Sequence, residues 1–447
     1  MTQRLSIGFA LALLTAATLR ADDWPQWLGP QRDGVWREQG IVDAFPKDGP
    51  KYRWRKPLGG GYSGPAVAKG RVYVTDRQLA SGAANPNDPF QRGKIPGTER
   101  VVCLDEKTGE TLWVHEYPCD YTVSYAAGPR ATPTVDDGRV YTVGVEGNLF
   151  CLDAAKGTVL WSKDFKTDYH AKTQTWGFAS PVLIDGERAI CITGGTEASA
   201  VAFDKKTGKE LWRAVPAKEA GYAPPMIYTL AGVRQLIIWT GNGITALKPE
   251  SGEVLWIHPW QLRFALAVPT PRKVGEDQLF FTSFYNGSLM LKVSPENKTP
   301  EILWQSTKVS EKDTDKLNSI IPSPVIADDV IYGVCSYSEL RALKVSSGER
   351  IWETRQPTTN GKNLRWGNAF LIPQGDRYFL FNEAGELILA KLSPKGYEEL
   401  DRMKLLEPTN KDARTRNVVW VHPAFANGHV LVRNDKEIVS VDLRAKP

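Results

Sequence analysis

The feature of this sequence that most limits its fold is a short stretch that recurs about every 48 residues and ends on tryptophan. Two copies make the repeat plain: VVCLDEKTGETLW ends at Trp113 and LFCLDAAKGTVLW ends at Trp161. Further copies end at Trp212, Trp256, Trp304 and Trp352, and a seventh copy has Leu400 in the tryptophan position. Periods of this length are typical of solenoids, propellers and other repeat arrays, so the repeat is interpreted before any other feature.

A second constant feature precedes each copy. SGPAVAKGRVYV, ATPTVDDGRVYTV and PSPVIADDVIYGV each contain a proline, a short apolar run, a polar turn and a β-branched run. Short strands separated by Gly, Asp and Asn turns indicate an all-β chain, and the periodicity of helices is missing. One unit therefore contains four strands, and a sheet of this size needs neighbours to cover both of its faces. Radial stacking of such sheets is a β-propeller.

Counting the strands predicts how the ring closes. The three inner strands of a unit occur eight times, in residues 62–105, 130–153, 178–204, 222–248, 266–293, 322–344, 368–391 and 420–442. Seven of these are followed by an outer strand. The missing strand is predicted in PKYRWRKPL, where Trp54 takes the tryptophan position. The sequence thus predicts a single eight-bladed β-propeller of four-stranded antiparallel blades, closed by an N-terminal strand in the last blade, which removes an open sheet edge.

The repeated tryptophans have a structural interpretation. An indole offers a large flat apolar surface and one N–H donor. Between two blades it can fill the wedge where the sheets diverge, while its N–H reaches a carbonyl of the neighbouring blade. We therefore predict that these tryptophans hold adjacent blades together.

The first 21 residues are typical of a secretory signal peptide. Arg4 provides the positive start, residues 7–17 the apolar stretch and Ala21 a small residue for cleavage. About eleven apolar-rich residues are fewer than the roughly 20 that a membrane-spanning helix needs. We expect an exported, periplasmic or extracellular protein, cleaved near Ala21, with no membrane span. No cysteine precedes Cys103, so we expect no lipid anchor.

The mature chain divides into two parts. Residues 22–51 are expected to form a head segment and residues 52–447 the propeller. Blade 1 carries an insertion at residues 78–98, rich in Pro, Gly, Asn and Asp, which predicts a surface loop. Cys103 and Cys151 hold equivalent repeat positions and are expected in the core.

Charge and motifs exclude several functional classes. The net charge of +5 is mild, and no Lys/Arg block of the kind that binds nucleic acid or membrane surfaces is present. The five histidines lie in different repeats without metal-ligand spacing. No Gly-x-Ser-x-Gly or Gly-Lys-Ser/Thr motif occurs. We expect a monomer that binds no nucleic acid.

The innermost strands of a propeller converge on its axis, so a central site would form where the proline strands begin. The side chains at these positions are Tyr62, Arg130, Trp176, Tyr222, Arg365, Trp366, Asn368, Trp420 and His422. They make an aromatic and basic rim. The nearest acidic residues, Asp120, Asp168 and Glu219, lie in connecting loops.

The repeats resemble the tryptophan-docking, quinoprotein-like (PQQ-repeat) β-propeller superfamily, including its exported bacterial BamB-like members. The resemblance runs from DDWPQWLGPQRDGVW to the terminal VSVDL. It is specific for the fold and less so for function, because the superfamily contains both quinoprotein dehydrogenases and non-catalytic scaffolds.

A PQQ-dependent dehydrogenase is the alternative that the resemblance leaves open. Such an enzyme would need Ca²⁺ on carboxylate and amide oxygens and an Asp base near the quinone. The axial stretches contain no Asp or Glu, and no adjacent cysteine pair is present. PQQ binding with Ca²⁺ remains possible: Arg130 and Arg365 would pair with its carboxylates, and Trp176, Trp366 or Trp420 would stack on its rings.

The sequence favours the other class, an exported non-catalytic binding or scaffold protein. Aromatic residues and arginine are enriched at the energetic centres of interfaces. On this interpretation, Tyr62, Tyr222, Asn368 and His422 would contact a protein partner in the cell envelope or a small ligand.

Overall fold

A computed structural model of the 447-residue chain describes residues 22–217, 219–295 and 298–445. The predicted signal peptide, residues 1–21, lies outside the described residues. Within those ranges, no helix has the length and apolar character needed to cross a membrane. All five cysteines are buried and unpaired.

The described chain forms eight four-stranded antiparallel sheets, the blades, arranged in a ring. Blade 1 consists of β2 Ala66–Ala68, β3 Arg71–Leu79, β4 Gly97–Asp105 and β5 Thr111–Pro118, and blade 2 of β6 Thr134–Asp136, β7 Arg139–Val143, β8 Asn148–Asp153 and β9 Val159–Asp164. Blade 3 consists of β10 Leu183–Asp185, β11 Arg188–Ile192, β12 Ala200–Asp204 and β13 Glu210–Ala214, and blade 4 of β14 Met226–Leu230, β15 Val233–Trp239, β16 Gly243–Leu247 and β17 Val254–Pro259.

Blades 5 to 8 continue the same order, with the innermost strand first. Blade 5 consists of β18 Arg272–Val274, β19 Gln278–Ser283, β20 Gly287–Lys292 and β21 Glu301–Gln305, and blade 6 of β22 Val325–Ala327, β23 Val330–Val334, β24 Leu340–Lys344 and β25 Arg350–Thr354. Blade 7 consists of β26 Ala369–Gln374, β27 Arg377–Asn382, β28 Glu386–Ser393 and β29 Gly396–Lys404, and blade 8 of β32 Ala424–Ala426, β33 His429–Arg433, β34 Glu437–Asp442 and β1 Tyr52–Pro57. The remaining elements are α1 Phe165–Tyr169, a 3₁₀ turn Arg263–Ala265, α2 Gln356–Thr359 and a small hairpin of β30 Asn410–Lys411 and β31 Asn417–Val418.

The repeated LDEKTG-type stretch forms the turn between the third strand and the outer strand. In blade 1 the Asp105 carboxylate accepts hydrogen bonds from the N–H groups of Lys107 and Thr108, and Gly109 follows at a φ of +69°. Glycine tolerates this left-handed conformation at little cost. A β-bulge in the pairing of the same two strands recurs in blades 1 to 7, and a bulge re-aims the side chains beyond it.

The tryptophans lie between blades, as predicted. The Trp113 indole N–H donates to the Ala154 carbonyl of blade 2 at 3.1 Å. The same bond to the next blade joins Trp54 to Glu106, Trp161 to Lys205, Trp212 to Pro249, Trp304 to Val345 and Trp352 to Ser393.

One tryptophan departs from this pattern. The Trp256 indole N–H donates to the Gln235 side chain of its own blade at 2.6 Å. The copy that follows it in sequence, SPENKTPEILW, has no glycine at the turn. The predicted carbonyl contact is therefore confirmed for six of these tryptophans and wrong for Trp256.

The N-terminal strand closes the ring, as predicted. β1 pairs antiparallel with β34, with Trp54 opposite Ser440 and Lys56 opposite Ile438. The innermost strands of blades 1 and 8 also contact each other. The first and last strands of the chain, β1 and β34, thus belong to the same blade.

Residues 24–36, here called the axial plug, cross the ring axis at one end. The Trp24 backbone pairs with Val67 in blade 1, and the Trp27 indole N–H donates to the Thr270 hydroxyl of blade 5 at 2.9 Å. The Trp36 N–H donates to the Pro373 carbonyl of blade 7 at 2.9 Å. Because blades 1 and 5 lie on opposite sides of an eight-bladed ring, the plug spans the central opening.

Candidate functional site

The innermost strands enclose a cavity of about 240 Å³ on the propeller axis, here called the axial chamber. Its lining is formed by the starts of these strands, the axial plug and several loops. The lining residues are Trp27, Tyr62, Phe90, Tyr125, Arg130, Thr132, Trp176, Ala179, Pro181, Tyr222, Pro224, Leu266, Val268, Phe284, Tyr285, Ile320, Ile321, Trp366, Phe370, Trp420 and His422.

The plug forms the floor of the chamber. The Trp27 ring lies 4.7 Å from the His422 ring, which also meets Phe370 at 5.1 Å. His422 Nδ1 donates to the Pro423 carbonyl at 2.7 Å, so Nδ1 carries the proton and Nε2 is an acceptor. Burial lowers the pKa of His422 to about 4. The imidazole is therefore neutral at physiological pH.

The blade 1 insertion covers part of the opposite end, the mouth. The Phe90 ring lies 5.2 Å from Tyr125 and 6.0 Å from Trp366. The Ser124 hydroxyl donates to the Phe90 carbonyl at 3.1 Å, and the Tyr125 N–H donates to the Pro89 carbonyl at 2.6 Å. These bonds hold an aromatic side chain of the insertion against the rim.

Arg130 brings a positive charge to the chamber wall. Its Nη1 donates to the Gly128 carbonyl at 2.8 Å, and its Nη2 donates to the carbonyls of Ser124 and Tyr125 at 2.9 and 2.7 Å. The guanidinium also lies 5.1 Å from the centre of the Tyr62 ring. Arg130 therefore both faces the chamber and holds the loop before its own strand.

The structure brings together seven of the nine side chains named from the sequence. Those that line the chamber are Arg130, Trp176, Trp366, Trp420, Tyr62, Tyr222 and His422. Arg365 and Asn368 do not line it. Arg365 pairs with Glu311 at 2.9 Å, and the Asn368 amide donates to the Trp366 carbonyl at 2.8 Å.

Sequence reasoning missed the residues that come from outside the inner strands. Trp27 belongs to the head segment and Phe90 to the insertion, while Tyr285 lies in the turn between β19 and β20. For Phe90, the available signal was that it is the one aromatic residue of the insertion at residues 78–98. Trp27 and Tyr285 had no equivalent signal in the repeat.

A cluster of charges lies behind the wall at Trp420. Its indole N–H donates to the Glu383 carboxylate at 3.1 Å, and Arg416 lies 3.1 Å from Glu383 and 3.2 Å from Asp412. One guanidinium thus faces two buried carboxylates. Burial, with a smaller contribution from Asp412, raises the pKa of Glu383 to about 7.

We expect Glu383→Gln to reduce the pH dependence of stability between about pH 4.5 and 7. Because the pKa of Glu383 is higher in the folded state, its protonated form stabilises the fold. This stabilisation is complete below the ordinary pKa of 4.5 and is lost as the pH rises through about 7. Urea unfolding at pH 5 and pH 8 measures the effect. The variant should lose less unfolding free energy than the wild type over this interval, and exposed Glu407→Gln serves as the control. Equal losses in all three proteins would contradict the assignment.

The chamber does not fit a calcium-bound quinone. Among the described residues, its lining contains no carboxylate and no carboxamide, the oxygen ligands that Ca²⁺ prefers. No group of three or more His, Cys, Asp or Glu in the described part of the chain could hold a metal ion. Arg365, expected to meet a cofactor carboxylate, already pairs with Glu311.

Comparison with known proteins matches this chain to a family model, a curated protein and solved structures. A family model described as outer membrane protein assembly factor BamB matches residues 97–354. BamB of Yersinia pestis is 26% identical over 203 residues, which are 44% of this chain and 49% of that protein. The match therefore spans about half the length of this curated relative.

Two solved structures have the same architecture. BamB from Moraxella catarrhalis superimposes with a TM-score of 0.51 at 15% identity, over 83% of this chain and 99% of that chain. The quinohemoprotein alcohol dehydrogenase from Comamonas testosteroni gives a TM-score of 0.62 at 13% identity, over 96% and 82%. At these identities the likeness establishes the fold alone.

Proposed function

This chain belongs to the PQQ-repeat family described as outer membrane protein assembly factor BamB, and from that membership we propose that it is an exported, non-catalytic binding protein that docks onto a protein partner in the cell envelope. A scaffold role needs a rigid surface with a few strong contact residues. The closed ring supplies the rigidity, because each blade is held by its neighbours.

One residue at the mouth carries the proposal. Phe264 is 56% exposed although it is a large apolar side chain, and its backbone is left-handed, with φ 56° and ψ 23°. A residue with a β-carbon costs roughly 1–2 kcal/mol in this conformation. More than half of the Phe264 side chain faces solvent, so burial does little to offset this strain. Strain of this kind supports a functional contact.

Arg263 and Tyr285 surround Phe264. The Arg263 guanidinium lies 5.2 Å from the Phe264 ring and 4.6 Å from the Tyr285 ring, and the two rings are 5.5 Å apart. Tyrosine and arginine are enriched among the residues that dominate binding energy at protein interfaces. We therefore place the centre of the partner site at Arg263, Phe264 and Tyr285.

We expect Phe264→Gly to weaken partner binding at least about tenfold without lowering thermal stability. Loss of an interface residue of this type often costs about 2 kcal/mol or more, and glycine accepts the left-handed backbone. Photo-crosslinking from position 264 in the envelope would identify the partner, and titration of the purified pair would measure affinity. Ile257, 52% exposed on the outer strand of blade 4, provides the matched control as Ile257→Gly.

Two results would contradict the proposal. One is unchanged affinity of the identified partner for Phe264→Gly. The other is calcium-dependent binding of PQQ together with substrate-driven reduction of a dye by alcohols or sugars. That second result would establish the dehydrogenase alternative, for which the described lining residues offer no carboxylate or carboxamide ligand.

A further inference from the structure

The axial chamber has the shape of a pocket closed at one end. Trp27 lines its floor, and the Trp27 indole N–H is bonded to Thr270. Beneath it, Arg32 donates to the carbonyls of Val182 and Pro225 at 3.4 and 3.2 Å. These bonds attach the plug to blades 3, 4 and 5. A ligand would therefore enter from the mouth, where Phe90 is 43% exposed.

The walls present aromatic faces and edges to the interior. Trp176 meets Tyr222 edge to face at 5.9 Å, and Tyr125 lies 5.7 Å from Trp420. Trp366 completes the wall near the mouth. Such surfaces stack on flat rings. They offer few partners for the many hydroxyl groups of a sugar.

The charge of the lining distinguishes anionic from cationic flat ligands. Arg130 is the one charged side chain among the described lining residues. A guanidinium has five N–H donors, and three of those of Arg130 are taken by backbone carbonyls. Behind the wall, Glu311 pairs with Arg365, while Glu383 and Asp412 share the guanidinium of Arg416. The chamber therefore attracts an anion and repels a cation.

One polar side chain of the wall is a threonine whose hydroxyl is buried. Thr132 is 4% exposed and lines the chamber, and its Oγ1 has no hydrogen-bond partner in the part of the chain that the structure describes. Buried polar atoms are normally satisfied. The Thr132 hydroxyl is itself buried, so it adds a polar atom to the wall but no exposed donor for a ligand.

We propose that the axial chamber binds a small flat aromatic compound with one anionic group, such as an aryl carboxylate, without a metal ion. Its rings pack among the wall tryptophans and its anionic group meets Arg130. This ligand site adjoins the partner site around Phe264, because Tyr285 lines the chamber and also contacts the Phe264 ring, but the proposal does not rest on the partner site.

Two probes of equal ring size test the charge preference. Naphthalene-2-carboxylate and 2-naphthylmethylammonium are titrated into the purified mature chain at low salt, with intrinsic tryptophan fluorescence and calorimetry as readouts. We expect one saturable site that binds the carboxylate at least about tenfold more tightly than the ammonium, because charge-assisted hydrogen bonds are strong ones. Equal affinities, or binding that requires Ca²⁺, would overturn the proposal.

Two variants locate the site. Arg130→Gln should weaken carboxylate binding at least about tenfold and remove the preference between the probes. Arg130→Gln also removes the bonds that hold the backbone of residues 124–125. Ala179→Phe therefore tests the site while leaving Arg130 unchanged. Ala179 lines the chamber, so the added ring fills the space and should abolish binding of both probes.

Leu211→Phe is the matched control, since Leu211 is exposed on the outer strand of blade 3. It should bind both probes as the wild type does. If Ala179→Phe binds the probes with wild-type affinity, the probes bind elsewhere and the proposal is overturned. This conclusion holds even if Arg130→Gln does not fold.

Discussion

A truncated chain that begins at Gly59 is expected to lose the cooperative unfolding transition of the full-length protein. The truncation removes β1, which pairs with β34, and so leaves blade 8 with three strands and an open edge. It also removes Trp54, whose indole N–H donates to the Glu106 carbonyl of blade 1 at 2.8 Å. Circular dichroism and calorimetry would measure the loss.

The same truncation removes the axial plug, so a second variant isolates the contribution of ring closure. Trp54→Ala in the full-length chain keeps the plug and should lower the free energy of unfolding by about 3–5 kcal/mol, the usual cost of removing a buried large aromatic side chain. Exposed Leu112→Ala on an outer strand should cost little. A truncated chain with the wild-type melting temperature would disprove the closure model.

The contact between blades predicts a second large effect. A β-carbon on Gly208 would lie 2.7 Å from the Trp161 indole, at a φ of +69°. Gly208→Ala should therefore cost about 3 kcal/mol, the sum of left-handed strain and overpacking. Trp161 is itself held by the Lys205 carbonyl and has little room to move aside.

Gly186 in the same blade provides the control for backbone strain. Its φ is +58°, and a β-carbon there would meet no atom within 4 Å. Gly186→Ala should cost only about 1 kcal/mol, from strain alone. Urea unfolding of both variants measures the difference. Equal costs would mean that the tryptophan contact adds nothing to the stability of the ring.

Position within the repeat was enough to predict seven of the 21 residues that line the chamber. Tyr62, Trp176 and Trp420 were named because each begins an innermost strand, and all three line the chamber. Arg365 was named for the same reason but pairs with Glu311 instead. Strand order places a backbone near the axis, whereas the direction of a long side chain depends on which partners surround it.

The role of Arg130 shows the same limit. Its residue type and its place at the axis could be predicted, but three of its donors are bonded to the carbonyls of Gly128, Ser124 and Tyr125. Nothing in the repeat marks these carbonyls as acceptors. They become acceptors because the loop before the strand folds back on the guanidinium.

The sequence by itself determined the number of blades, their four strands and the strand that closes the ring. It could do so because each turn is local: in blades 1 to 3 a carboxylate, a glycine and a tryptophan at fixed spacing specify the hairpin, and blades 4 to 7 keep parts of the same pattern. Only the tertiary structure decided that Trp27 forms the floor of the axial chamber and that Phe90 lies at its mouth. Both residues come from segments outside the repeat, so contacts between distant parts of the chain, and not local spacing, bring them to the axis.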